Sequence, residues 1–167
     1  AINNHKKTKK YNLKSIKVCI SGGAPLPLEI KHKFEEITGC RLIEGYGLTE
    51  SSPVACANPI FGEARDGSVG FPLPGTIVEI RDTEGRRPLL PKNEIGEICI
   101  KGPQVMLGYL NNQTETKAVL KSGRLHTGDL GFIDKDGYIH VVDRLKELII
   151  CSGFNVHPSE VEDAIYK

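Results

Sequence analysis

The sequence predicts a mixed fold, α/β plus β, and three observations carry that reading. Two short apolar runs flank a stretch of helical periodicity between residues 16 and 44, the pattern of a βαβ unit. Short runs separated by Gly, Pro and an Asp-Gly pair fill residues 70–144, the pattern of an antiparallel sheet or small barrel. After residue 145 the pattern returns to a strand followed by a helix. The chain is therefore divided into the end of a larger α/β subdomain (1–58), a distorted antiparallel β-barrel (59–144), and the beginning of a small α+β C-terminal domain (145–167).

The first strand is expected over 16–20 and ends in Ser21-Gly22-Gly23. A helix over 27–38 follows. Pro27 suits a first helical position, Ile30, Phe34 and Ile37 fall at i, i+4 and i+7, and Gly39 suits the cap. The next strand, 41–44, runs directly into Gly45-Tyr46-Gly47. A βαβ unit alone is too small a sheet, so further strands are expected upstream.

In the β portion, strands are expected over 76–81 and 96–101, the second with the polar–apolar alternation of a half-buried strand. Strands over 125–133 and 138–142 flank Asp134-Lys135-Asp136-Gly137, whose Asp-Gly pair is a hairpin signal. A short helix over 114–120 interrupts them. Beyond Arg144 come a strand over 147–151, a turn at Ser152-Gly153-Phe154-Asn155 and a helix over 158–166. Pro158 stands in the first turn of that helix, with Glu160 and Glu162 near its positive end. One strand and one helix bury no core, so this last part reads as the opening of a truncated domain.

A net charge of +1 over 167 residues argues against nucleic acid as the main partner, because phosphate-backbone binding needs a basic face. Lys6, Lys7, Lys9 and Lys10 read as a solvated surface run. The five cysteines are scattered and form no C-x-x-C pair, which fits reduced thiols in a cytoplasmic protein better than a disulfide frame or zinc site. Cys19, Cys99 and Cys151 lie in apolar runs and read as small buried hydrophobes. The five histidines show no metal-ligand spacing, and no apolar run is long enough to span a membrane.

Four segments carry chemistry, and each also has a plain structural reading. Ser21-Gly22-Gly23-Ala24-Pro25 lies between a strand and a helix, where glycines let the backbone approach a flat ligand or simply make a tight turn. Gly45-Tyr46-Gly47-Leu48-Thr49-Glu50 offers a ring for stacking, a hydroxyl for a phosphate and a hard-oxygen ligand for Mg²⁺. Its other reading is a surface loop with a buried Tyr and a helix-capping Thr. Asp129, among the glycines of His126-Thr127-Gly128-Asp129-Leu130-Gly131, suits a sugar diol or its own turn, and His126 reads as structural. Asp143-Arg144-Leu145-Lys146 places two cations where the chain passes between parts, suited to ribose or phosphate or to a surface ion-pair ladder. Together the four supply what a nucleoside phosphate with a metal ion needs.

Those segments resemble successive core motifs of the adenylate-forming superfamily, which holds acyl-CoA synthetases, peptide-synthetase adenylation domains and beetle luciferases. Gly96-Glu97-Ile98-Cys99-Ile100-Lys101-Gly102-Pro103 with Gly108-Tyr109 belongs to the same series, and the likeness runs from about Ser15 to the last residue. Gly102 to Tyr109 and Ser152-Gly153-Phe154-Asn155-Val156 most resemble bacterial long-chain fatty-acid–CoA ligases. Arg124 departs from the pattern, since relatives usually carry an aromatic residue there.

The resemblance implies an AMP-forming acid–thiol ligase that uses ATP, Mg²⁺ and coenzyme A to activate a carboxylic acid, by this reading a long-chain fatty acid. It implies that Tyr46 stacks on adenine, with Gly23 and Ala24 lining the other face. Thr49 would contact phosphate, Glu50 would hold Mg²⁺, and Asp129 would accept the ribose hydroxyls with Arg144 nearby. Lys146 matches the hinge on which the C-terminal domain swings, and Gly153 the loop that shapes the pantetheine channel. A fatty substrate brings the expectation of peripheral contact with the inner face of the membrane. The phosphate loop and the late lysine of the family do not occur in this stretch, so the chain alone is expected not to form acyl-AMP. Alternatives are an aryl- or amino-acid-adenylating relative, and a non-catalytic nucleotide-binding or structural module.

Overall fold

A computed structural model describes residues 2–147, 149–151, 154–156, 158, 161 and 165. Strand β1 (Val18–Ser21), helix α1 (Leu28–Thr38) and strand β2 (Arg41–Gly47) form the expected βαβ unit, with β1 and β2 parallel and Ser21 opposite Glu44. Pro27 stands one position outside the helix rather than at its first residue. Its ψ of 132° is extended, while its carbonyl accepts the Lys31 amide at 3.1 Å. Gly39 ends the helix in the left-handed region (φ 68°) and donates to Glu35 O at 2.8 Å, as a C-terminal glycine should. Phe34 and Ile37 are half-buried, whereas Ile30 keeps 45% of its surface exposed. The helix is pinned instead by buried Lys31, which pairs with Asp66.

Strand β2 is three residues longer than the sequence predicts, 41–47 against 41–44, because it acquires an antiparallel partner. Strand β3 (Val54–Ala57) places Cys56 opposite Tyr46, and β4 (Phe71–Pro72) adds to its outer edge. Neither strand is predicted: four and two residues are too few for a periodic signal. Between β2 and β3 the chain makes a single 3-10 turn, Thr49–Ser51, tied down by the fully buried Ser51 hydroxyl, which donates to Pro53 O at 2.7 Å.

A second sheet holds β5 (Ile77–Arg81), β6 (Gly96–Lys101), β7 (Leu120–Lys121), β8 (Arg124–Ile133) and β9 (Ile139–Arg144). Every pairing in it is antiparallel; β6 lies between β5 and β8, and β9 pairs with the far half of β8. Helix α2 (Gln113–Val119) precedes β7, with Asn112 Oδ1 accepting the Glu115 amide at 3.1 Å. The curled sheet has two faces of different chemistry. Val78, Ile80, Ile98, Ile100, Leu125 and Ile139 form the core together with Ala55 and Cys56 of β3. Glu79, Arg81, Glu97, Cys99, Arg124 and His126 alternate with them in sequence and line the other face.

The departure at Arg124 is explained on that second face. Its guanidinium meets Glu79 through Nε at 2.7 Å and Nη2 at 3.1 Å, where an aromatic ring would leave Glu79 with Arg81 alone on that side.

The hairpin joining β8 and β9 forms where Asp-Gly predicts it. Asp134 Oδ1 accepts the Asp136 and Tyr138 amides, both at 2.9 Å. Arg65 reaches Asp134 and Asp136 and lies 4.2 Å over the Tyr138 ring, which tilts against Phe71 at 4.3 Å.

After a 3-10 turn at Leu145–Glu147, β10 (Ile149–Cys151) pairs antiparallel with β11 (Phe154–Val156). The predicted turn over 152–155 is thus corrected: Phe154 and Asn155 belong to a strand, since the preceding strand supplies a ladder for them. Gly153 and most of the helix predicted over 158–166 lie outside the described residues. Among the described residues, no helix is long and apolar enough to cross a membrane.

Candidate nucleotide site

The turn after β1 abuts the end of β2, so the first two motifs meet directly. A Cβ added at Gly22 would stand 3.0 Å from Gly45 O. Gly23 and Ala24 are exposed beside it, and nothing lies within 4 Å of where a Gly23 Cβ would be. That open backbone suits close approach by a flat ligand.

Tyr46 is not the freely exposed ring that its two glycines suggest. It is half-buried and packs against the core, and its hydroxyl donates to Asp129 Oδ2 at 2.6 Å. Burial, then the Asp129 charge and its hydrogen bond, hold the phenol well above its ordinary pKa, so it stays a donor at every physiological pH. Gly47 allows the chain to turn off immediately afterwards: a Cβ there would stand 1.8 Å from Pro53 O.

Asp129, only 6% exposed, also accepts from Arg144 Nε at 3.0 Å. The β8–β9 register sets Arg144 directly opposite Asp129. Gly128, at φ 73°, donates to Glu97 Oε1 at 3.1 Å, and the Asp129 amide donates to Thr127 Oγ1 at 3.0 Å. Two ladders and a neighbouring hydroxyl thus aim one carboxylate. Its two hydrogen bonds leave lone pairs for a diol, since a carboxylate carries about four acceptor sites.

Glu50 leaves the 3-10 turn half-buried and accepts from Tyr109 Oη at 2.7 Å, while its own carbonyl accepts the Met106 amide at 2.8 Å. The hydrogen bond to Glu50, with some burial and the Glu50 charge, pushes the Tyr109 phenol up to about 12. Thr49 is exposed in the same turn. A single carboxylate beside an exposed hydroxyl fits Mg²⁺, which commonly takes one or two carboxylates and completes its shell with water and substrate phosphates. Lys146 is exposed, two residues beyond Arg144.

The tertiary structure therefore joins Tyr46, Asp129 and Arg144 in one hydrogen-bonded unit, carries Thr49 and Glu50 on the adjoining turn, and sets Gly23 and Ala24 on the turn beside β2. Gly153 falls outside the described residues. Two partners escape assignment from the sequence. Tyr109 meets Glu50 from 59 positions away, and the Thr127 hydroxyl donates to Ile98 O from 29 positions away; neither contact leaves a local signal.

His126 and Cys99 meet beside Glu97. His126 Nδ1 lies 2.7 Å from Glu97 Oε2 and 3.5 Å from Cys99 Sγ, so donor groups without recognisable spacing converge in space. Cys99 is buried, as expected, on the face that carries Glu97 and His126, and burial, then the Glu97 charge, pushes its thiol up to about 12. Cys40, Cys56 and Cys99 are buried free thiols and Cys19 a half-buried one.

The chain is similar in sequence and in structure to known proteins. The sequence profile described as AMP-binding enzyme matches residues 1–110. The chain is 50% identical over 163 residues to a long-chain-fatty-acid–CoA ligase of Bacillus subtilis, covering 98% of this chain and 29% of that protein. It is similar in structure to the anthranilate CoA ligase AuaEII in complex with anthranoyl-AMP (TM-score 0.87, 30% identity, 99% of this chain and 31% of that one). It is also similar to O-succinylbenzoate coenzyme A synthetase from Bacillus subtilis in complex with ATP and magnesium ion (TM-score 0.80, 35% identity, 95% and 33%). The chain spans about 29% of the length of the curated relatives it matches.

Proposed function

The chain belongs to the family of AMP-binding enzymes, and on that premise we propose that it is the nucleotide-facing part of an ATP-dependent ligase that joins a long-chain fatty acid to coenzyme A. The acid carboxylate attacks the α-phosphate of ATP, the α–β phosphoanhydride bond breaks, and acyl-AMP and pyrophosphate result. The coenzyme A thiol then attacks the acyl carbon, loses its proton and expels AMP, leaving the thioester.

In this reading the Tyr46 ring takes one face of adenine and the exposed backbone at Gly23 and Ala24 the other. Asp129 accepts the ribose hydroxyls with its remaining lone pairs, already oriented by Tyr46 and Arg144. Thr49 donates to phosphate, and Glu50 would hold Mg²⁺, which when bound would supply screening of the phosphate charge. Lys146 is the hinge after which a C-terminal domain reorients. The three parts divide at 1–58, 59–144 and 145–167. A cytoplasmic enzyme touching the inner membrane face through its acyl substrate follows from the fatty-acid reading.

The single observation that carries the proposal is the buried Asp129 carboxylate held between Tyr46 and Arg144. The fatty-acid assignment rests on the 50% identity to the Bacillus subtilis ligase. Likeness to the anthranilate ligase favours, as second reading, an aryl acid with the same two steps. ATP–pyrophosphate exchange on the natural protein carrying this chain decides among them, using a panel of fatty, aryl and amino acids. Exchange that requires a long-chain acid and collapses in Glu50→Ala fits the first reading. Exchange with aryl or amino acids alone moves the substrate class. No exchange with any acid overturns the catalytic reading in favour of a non-catalytic nucleotide module.

A further inference from the structure

We propose that Glu97, Cys99 and His126 form a site for one divalent transition-metal ion, zinc in chemical character, on the polar face of the second sheet. The three residues offer one sulfur, one nitrogen and one oxygen, all within 4.8 Å of one another. Glu97 and Cys99 stand two apart on β6 and share a face, and the register sets Cys99 opposite His126 on β8. The ligands therefore hang from two paired strands of a rigid sheet.

Their separations approach those of a tetrahedral ion. Zinc with ordinary bond lengths sets sulfur about 3.6 Å from both nitrogen and oxygen, and nitrogen about 3.4 Å from oxygen. Cys99 Sγ lies 3.5 Å from His126 Nδ1 and 4.0 Å from Glu97 Oε2, and the histidine–carboxylate pair lies at 2.7 Å. Only that last pair has to open, by about 0.7 Å, to admit the ion.

Charge and surroundings agree. A thiolate and a carboxylate neutralise a divalent ion. The neighbouring Arg81 and Arg124 are both engaged with Glu79 rather than with Glu97. Glu97 Oε1 accepts the Gly128 amide, an outer contact that orients the ligating carboxylate. The His126 and Glu97 side chains keep 21% and 16% of their surface, which leaves a solvent approach for a fourth, water ligand. A sulfur–imidazole set selects zinc-like ions over Mg²⁺ and Ca²⁺. A cysteine–histidine nucleophile is a poorer account, because Cys99 and Glu97 face the same ring nitrogen, Nδ1. On binding, the Cys99 thiol proton leaves to solvent and the His126 proton resides on Nε2.

The test is titration of the chelator-stripped protein with Zn²⁺ alone, and in parallel with Co²⁺ as spectroscopic probe. One ion per chain is expected, with a thiolate-to-cobalt charge-transfer band. Cys99→Ser removes that band and weakens Zn²⁺ affinity by more than about 100-fold, beyond the usual cost of losing an outer contact. Cys19→Ser/Cys40→Ser keeps both band and affinity. Glu97→Gln, which retains an oxygen for the Gly128 amide, and His126→Asn each keep the fold and lose at least about tenfold in affinity. These two variants decide the matter if Cys99→Ser does not fold. The proposal is overturned by a missing thiolate band, by a band that follows Cys19 and Cys40, by unchanged affinity in Glu97→Gln and His126→Asn, or by equal competition from Mg²⁺.

Discussion

Tyr46 Oη donates to Asp129 Oδ2 at 2.6 Å, joining two motifs 83 positions apart in the chain. Tyr46→Phe keeps the ring but leaves a buried carboxylate one donor short. The expected loss is about 1–3 kcal/mol of stability, read from the urea midpoint. AMP binding should fall less than in an Asp129 variant, because the stacking surface survives.

Asp129→Asn is the sharper probe of the ribose contact. Alanine would release Tyr46 and Arg144 together and confuse affinity with stability, whereas asparagine keeps the shape and one acceptor. Calorimetric titration with AMP should show about tenfold or greater weakening, the scale of one charge-assisted hydrogen bond. Unchanged affinity with lowered stability would reduce Asp129 to a turn organiser.

Tyr109→Phe frees the Glu50 carboxylate from the phenol that caps it at 2.7 Å. The pair is partly exposed, so stability should change by less than about 1 kcal/mol. The informative readout is the Mg²⁺ concentration for half-maximal pyrophosphate exchange, which should shift in Tyr109→Phe. Exchange itself should vanish in Glu50→Gln.

Gly47→Ala places a Cβ 1.8 Å from Pro53 O, and backbone, not a flexible side chain, must give way. A stability loss at the upper end of the range for overpacking, about 1–3 kcal/mol, is expected and should show as a lowered melting temperature. AMP affinity should fall with it, because the same turn positions Tyr46 and Glu50.

Asp134 supplies the acid limit. Burial opposes its charge, but hydrogen bonds from His140, the Tyr138 amide, Arg65 and the Asp136 amide outweigh it and hold the carboxyl far below its usual range. A folded pKa below the unfolded one contributes stability that is complete above about pH 4 and disappears as pH falls through the folded value. Denaturation midpoints of wild type and Asp134→Asn should differ most near neutrality and converge toward acid. A constant gap would show that the charge contributes nothing.

The sequence alone determined those features whose causes are local. Helical spacing and Gly39 specify α1, Asp-Gly specifies the β8–β9 hairpin, and alternation specifies β6, because each depends on residues a few positions apart. The chemical types needed for a nucleotide, and their order, are equally local. Only the tertiary structure decided which partner each group meets. Strand β3 exists because β2 offers it a ladder, β4 because β3 does, and β11 because β10 does. The alternation in β5 and β6 separates an apolar face from a polar one, and only packing decides what covers each face. Side-chain contacts between segments 83 and 59 positions apart make Tyr46 a buried donor to Asp129 and Glu50 a neighbour of Tyr109, and the β6–β8 pairing makes Cys99 a neighbour of His126 across 27 positions. Hydrogen bonding and burial act over a few ångströms of space, whatever the separation along the chain, so no spacing rule contains these contacts.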